Sequence, residues 1–264
     1  MFSDLLDGAM LTELRPDRPK LIVIACELRT KAAFYFAKDG MSTWHLGVAD
    51  PAGVEVAQAV AASAAYPAFL PALDKVMTFE KEGASAPTRV ILTDGGVYDN
   101  LGLAPFWPDR DPAISRHVEQ HDLVVASRAG YALRQSPAAS LWPSRMRAVV
   151  DGIHARAQNL AVSRAFDLQR AGRWRFILPY LDQNDAALAC PPADLIGRDR
   201  VKDYPTDFSP MPEEVIRLLS GRGEQLTKAL IDEHLPGDAG TAGDGHPAAA
   251  GSGDPPSGSA MKEG

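Results

Sequence analysis

The apolar positions of this chain fall into short unbroken runs separated by longer stretches of helical spacing. Lys20 to Leu28, Thr88 to Leu92, Leu123 to Ser127 and Trp174 to Tyr180 each centre on such a run. Runs of this kind mark strands covered on both faces. Pro179 marks an end or an edge position of the last one. Between them lie the helical patterns. Phe2, Leu5, Leu6, Met10, Leu11 and Leu14 give a short helix over Met1 to Leu14. Asp50-Pro51 is a helix start, with a capping carboxylate and a proline in the first turn. That helix is expected from Ala52 to about Ala65, with Val56, Val60 and Ala64 on one face and Pro67 as its stop. A long helix is expected from Ser144 to Ala171, its buried stripe being Met146, Val149, Val150, Ile153, Leu160 and Phe166, with Gly172 ending it. One or two closing helices follow over Pro212 to Leu235, interrupted near Gly221 and Gly223. Asp39-Gly40 offers a turn after the A-F-Y-F run, with Met41 to Leu46 returning as a hairpin partner. Buried strand runs with helices between them give an α/β fold.

Composition sharpens this picture at the carboxyl end. Asp238 to Gly264 is nearly all Gly, Ala, Ser, Pro and Asp. Such a segment cannot bury enough apolar surface to offset the entropy of ordering. The expected organisation is one domain over 1–236 and a disordered tail over 237–264, without internal repeats. The 264 residues carry a net charge of −7, which argues against a general nucleic-acid binder. The two cysteines, Cys26 in an apolar run and Cys190 beside two prolines, do not make a disulfide framework or a Cys-rich metal site. Leu21 to Cys26, the longest apolar run, is far too short to span a bilayer. The first ten residues have neither the basic region nor the hydrophobic core of a secretory signal, so a cytoplasmic location is the default expectation.

The chemistry concentrates in Thr88 to Gly102, T-R-V-I-L-T-D-G-G-V-Y-D-N-L-G. Asp94 follows the strand run directly, and Gly95 and Gly96 come next. Adjacent glycines allow positive φ and let a backbone or ligand approach where a Cβ would block it. In open α/β sheets ligands bind outside the carboxyl ends of strands, which makes a carboxylate there a site candidate. A plain capping or turn aspartate is the alternative.

Val60 to Pro71, V-A-A-S-A-A-Y-P-A-F-L-P, is a small-residue helix end entering a proline-bounded loop. Together with D-G-G-V-Y-D-N it resembles the patatin-like acyl hydrolases, over about Pro19 to Pro236. The resemblance implies a three-layer α/β/α fold with a mostly parallel sheet. It also implies cleavage of lipid acyl esters by a Ser-Asp dyad, with Asp94 as the proton acceptor. Gly95 and Gly96 match the motif turn, and Ser63 and Pro67 the supporting loop. No cofactor and no metal are implied. The expected partners are a lipid or acyl-ester substrate and, transiently, a membrane surface.

Such chemistry needs a serine on a strand-turn-helix elbow, G-x-S-x-G, and backbone donors for the oxyanion. The sequence holds no G-x-S-x-G, and no glycine-rich loop to supply those donors precedes Lys20. Gly83-Ala84-Ser85-Ala86-Pro87 is the nearest approach, and it ends in proline and precedes a strand. The expectation is therefore a carboxyl-terminal part of a patatin-like domain, missing its first strands and nucleophile elbow. It should be inactive alone, with an exposed apolar sheet edge. A non-catalytic binding module and an unrelated α/β domain are the alternatives.

Three further groups stand out. Asp99 and Asn100 either buttress the Asp94 loop or form an ordinary Asx turn. His117 and His121 would share a helix face and could grip a metal, although the order is not H-E-x-x-H and no third ligand is evident; a solvated face is the alternative. Trp107, Trp142 and Trp174 either border a lipid entrance or pack in the core and its rim.

Overall fold

The structure, a computed structural model, describes residues 2–67, 70–112, 115–128, 141–204 and 209–235, without the side chains of Pro143 and Arg147. The expected tail from 237 lies outside the described residues. Six antiparallel strands close into a barrel in sequential order. They are β1 (Ile22–Glu27), β2 (Ala32–Ala37), β3 (Gly40–Thr43), β4 (Gly47–Ala49), β5 (Leu73–Lys81) and β6 (Ala84–Asp94). The seam is made by β6 against β1, pairing Ala25 with Asp94, Cys26 with Thr93 and Glu27 with Leu92. A separate parallel pair consists of β7 (Leu123–Val125) and β8 (Arg175–Ile177). The helices are α1 (Phe2–Leu5), α2 (Val56–Ser63), α3 (Gly96–Asp99), α4 (Trp142–Arg170) and α5 (Glu213–His234).

This corrects the expected fold. The strands that carry Asp94 form a closed antiparallel barrel, not the parallel sheet of a three-layer α/β/α domain. The loop lengths give the physical reason. Ala37 pairs with Gly40, and Lys81 with Ala84, leaving two-residue connections. Such loops join only antiparallel neighbours, since a parallel crossover needs a dozen residues or more. Glu82 and Gly83 both have positive φ, 53° and 79°, as the tight hairpin turn requires. The G-A-S-A-P stretch thus starts β6 and does not precede a strand. The expected exposed sheet edge is also corrected, because closure leaves none of these six strands at an edge.

Apolar runs misled because a barrel strand can also be covered twice. All six residues of β2 are buried. Phe34 and Phe36 join the barrel core with Ala25, Met41, Phe79, Val90 and Leu92. Tyr35 belongs to the opposite face, where His117 and Arg110 pack on its ring. From α2, Val56, Ala59 and Ala62 complete the barrel core. The helix ends at Ser63, four residues before Pro67, so the proline is not its stop.

The second core packs Val124, Trp174 and Phe176 against Ala165 of α4. Ile177 turns to the other face of β8 and meets Leu226 and Leu230 of α5. α5 runs unbroken through Gly221 and Gly223, which corrects the expected interruption. Arg222 between them is fully buried. It donates to the carbonyl oxygens of Leu181, Ile196 and Gln183 at 2.8, 2.6 and 2.8 Å, locking α5 onto the preceding loop. The stripe expected to be buried on α4 is exposed from Met146 to Leu160, and only Phe166 packs into a core.

Candidate functional site

Asp94 is the last residue of β6, at the barrel seam. The end of α2 is stapled to it. Asp94 N–H donates to the Ala65 carbonyl at 3.1 Å, and the Thr93 hydroxyl donates to the same oxygen at 2.7 Å. Gly95 N–H donates to the Ser63 carbonyl at 3.1 Å. The segment after α2 and the D-G-G turn are therefore one backbone-bonded unit.

The half-buried Asp94 carboxylate is fixed through one oxygen. Oδ1 accepts from Gly96 N–H at 2.7 Å, an Asx-type turn. Among the described residues Oδ2 has no hydrogen-bond partner. The glycines are required for space, not for positive φ, since Gly95 is helical at φ −64°. A Cβ on Gly95 would stand 2.1 Å from the Ile24 carbonyl oxygen. One on Gly96 would stand 2.8 Å from Asn100 Oδ1 and 2.9 Å from Asp94 Oδ1. Asn100 thus leans on the Asp94 turn, while Asp99 Oδ2 accepts from Ala104 N–H at 2.6 Å and fastens the next segment.

Ser63 lies close by without engaging the carboxylate. Its Oγ would be 3.3 Å from a Gly95 Cβ, but it makes no hydrogen bond to Asp94. Pro67 is exposed in the loop beyond.

A cleft of about 490 Å³ opens beside α3. Tyr98, Asp99, Trp107, Arg110, Leu160 and Arg164 line it; Asp94 does not. Arg110 donates to the Tyr35 hydroxyl at 2.9 Å, and Arg164 lies over the Trp107 ring, 4.4 Å from its centre, while also pairing with Asp109. Burial pushes the Tyr35 phenol up, against the opposing pull of Arg110. Sequence reasoning missed Arg110 and Arg164. They come from a loop and a helix remote in the chain, and no local pattern marks them.

His117 and His121 do not share a helix face. Residues 115–122 form no helix. His117 is fully buried, edge-on to Tyr35, and not on a solvated face. His121 packs near Phe106 instead, ring centres 5.5 Å apart. Among the described residues no group of three His, Cys, Asp or Glu side chains is arranged to hold a metal. Trp174 is a core residue, Trp107 packs against it at 5.4 Å between ring centres, and Trp142 is exposed.

No family model matches this chain, and neither does any curated protein.

Proposed function

We propose that this chain carries the base of a serine acyl-ester hydrolase acting on lipid esters, with Asp94 as proton acceptor. One observation carries the reading: Asp94 Oδ1 is anchored by the Gly96 N–H at 2.7 Å, in a turn stapled to Ser63 and Ala65, and Oδ2 is left to accept. A fixed carboxylate with one free oxygen is suited to take a proton from an alcohol. The reading rests on this local site and on the D-G-G-V-Y-D-N motif, not on the barrel.

In the reaction, a serine hydroxyl presented by a segment outside this sequence attacks the ester carbonyl and passes its proton to Asp94. The acyl C–O bond breaks, and the leaving alkoxide takes that proton. Water then repeats the sequence on the acyl-enzyme, freeing the fatty acid and the serine. Ser63 is not that nucleophile in this arrangement, since its hydroxyl does not bond the carboxylate. A non-catalytic binding module is the second reading, favoured by the lack of any G-x-S-x-G.

The test compares the chain alone with a chain extended by any in-frame coding sequence 5′ of Met1, using a chromogenic acyl ester and a fluorophosphonate serine probe. The chain alone should neither hydrolyse nor label. The extended chain should do both, and Asp94→Asn should lower hydrolysis by about 10³-fold or more, in the range of losing a dyad base. Hydrolysis that survives Asp94→Asn, or an extension without a reactive serine, overturns the proposal.

A further inference from the structure

The 29-residue helix α4 turns an apolar stripe outward. Trp142, Met146, Val149, Val150, Ile153 and Leu160 fall three, four and seven positions apart, on one face about 100° wide. Trp142 is 73 % exposed, Ile153 65 % and Leu160 60 %. A large contiguous apolar surface on one element marks a docking face.

Charge selects the occupant. The chain as a whole is acidic, yet α4 holds Arg145, Arg147, Arg156, Arg164 and Arg170 against Asp151 and Asp167. Arg145 and Arg156 are exposed and fall on the flank of the apolar stripe. A second copy of this helix would bring like charges together. An anionic surface complements them, and a tryptophan at the end of such a stripe suits the headgroup boundary. No described helix is long and apolar enough to cross a membrane, so the geometry is that of a helix lying in the interface plane.

We infer that the outward face of α4 docks the protein onto an anionic phospholipid bilayer, with Arg145 and Arg156 meeting headgroup phosphates. The stripe runs into the cleft beside α3, because Leu160 is at once part of it and part of the cleft wall with Tyr98 and Asp99. α4 also borders the Asp94 turn, since its His154, Ala157 and Gln158 line a small pocket together with Gly96, Val97 and Asn100. This deepens the hydrolase reading, and only its purpose rests on that reading.

Flotation of the full chain with vesicles of equimolar phosphatidylglycerol and phosphatidylcholine tests the docking itself, with no turnover required. The chain should float with these vesicles, less with pure phosphatidylcholine, and less as salt rises. Ile153→Asp and Arg156→Glu should each weaken binding about tenfold, one through the apolar contact and the other through charge. Both positions are exposed, so their melting curves should match the parent. Asp94→Asn should bind like the parent, which separates docking from catalysis. Lack of flotation, or unchanged binding by both α4 variants, overturns the inference. So does a dimer that Ile153→Asp dissociates without any vesicle binding, which would give the face to a second copy.

Discussion

Gly96 N–H donates to Asp94 Oδ1 at 2.7 Å, and the space above Gly96 is already filled by that oxygen and by Asn100 Oδ1. The turn is therefore packed on its own side chains. Gly95 is more constrained still, with the Ile24 carbonyl oxygen 2.1 Å from where a Cβ would sit. That neighbour is backbone in the closing strand and cannot swing away.

Gly95→Ala should destabilise the fold by about 2–3 kcal/mol or more, as overpacking against an immobile group does. Gly96→Ala should cost less, because two side chains can rotate, but it should displace the Asp94 carboxylate. Urea denaturation of both variants measures the difference. Equal stability of Gly95→Ala and the parent would mean that the seam is looser than this geometry.

Glu27 anchors the same seam from the other strand. It is fully buried and accepts from Thr30 N–H at 2.7 Å and from Arg29 and Ile91 N–H at 3.2 Å. Burial pushes this carboxyl up, but the donors of Thr30, Ile91 and Arg29 outweigh it and hold it below the usual carboxylate range. Its contribution is full above the ordinary value near 4.5 and is lost as pH falls through the lower folded value. Glu27→Ala leaves buried N–H groups unpaired and should cost about 2–4 kcal/mol at neutral pH. Chemical denaturation at pH 7 checks this, and a loss under about 1 kcal/mol would show that water replaces the carboxylate.

How much of this was visible in the sequence depends on how local the signal is. β1, β6 and the long helices were legible because their apolar spacing is fixed within each segment. β5 escaped notice: its Leu73, Met77 and Phe79 alternate with charged and polar residues, a half-buried pattern interrupted by Lys75. The strand direction was misread because a run such as Ile22–Glu27 reports double coverage, not parallel neighbours. The two-residue gaps at Lys38-Asp39 and Glu82-Gly83 held the antiparallel answer. The α4 stripe was legible as a stripe, but its partner was not, since periodicity says that a face is apolar and nothing about what covers it. Asp94 and Ser63 lie 31 positions apart in sequence, and backbone hydrogen bonds join their segments; Arg110 and Arg164 depend on contacts distant in the chain, and Glu27 combines the local donors of Arg29 and Thr30 with the distant Ile91.

His117 should make the protein acid-sensitive in a higher window than Glu27. Burial drives its imidazole down to about 4 from 6.5; Asp39 and Glu119 pull it up, while Lys20 and Arg116 push it further down. Among the described residues neither ring nitrogen has a hydrogen-bond partner. The unfolded chain binds this proton first, so stability rises with pH between about 4 and 6.5 and is reduced by about 3 kcal/mol below that span. His117→Leu should remove that slope and be neutral or stabilising at pH 7, because it replaces an unpaired polar ring by an apolar group. Thermal melts of both proteins from pH 7 to pH 4 decide it; parallel curves would mean that His117 is solvated.

Arg222 should behave as a buried cation whose partners are mostly carbonyls. It also lies 2.9 Å from the Asp185 carboxylate. Arg222→Met keeps the stem packed but leaves three carbonyl oxygens and Asp185 without this donor. The expected loss is about 3–5 kcal/mol, the scale for breaking a buried charge pair from one side. Amide exchange should show the loosening over 181–196 and along α5. Unchanged protection there would place the anchor of α5 in its Leu226 and Leu230 contacts alone.

The glycines on either side of Arg222 should respond differently to the same substitution. Both lie inside α5, where a glycine costs up to about 1 kcal/mol relative to alanine through backbone entropy. At Gly223 a Cβ would meet nothing within 4 Å, so Gly223→Ala should gain most of that, about 0.5–1 kcal/mol. At Gly221 it would come within 2.9 Å of the Ile196 side-chain tip, which can rotate, so Gly221→Ala should gain less or break even. The two denaturation midpoints rank these effects directly. A stability loss at Gly223→Ala would mean that α5 is bent or broken at this point, as the sequence alone suggested.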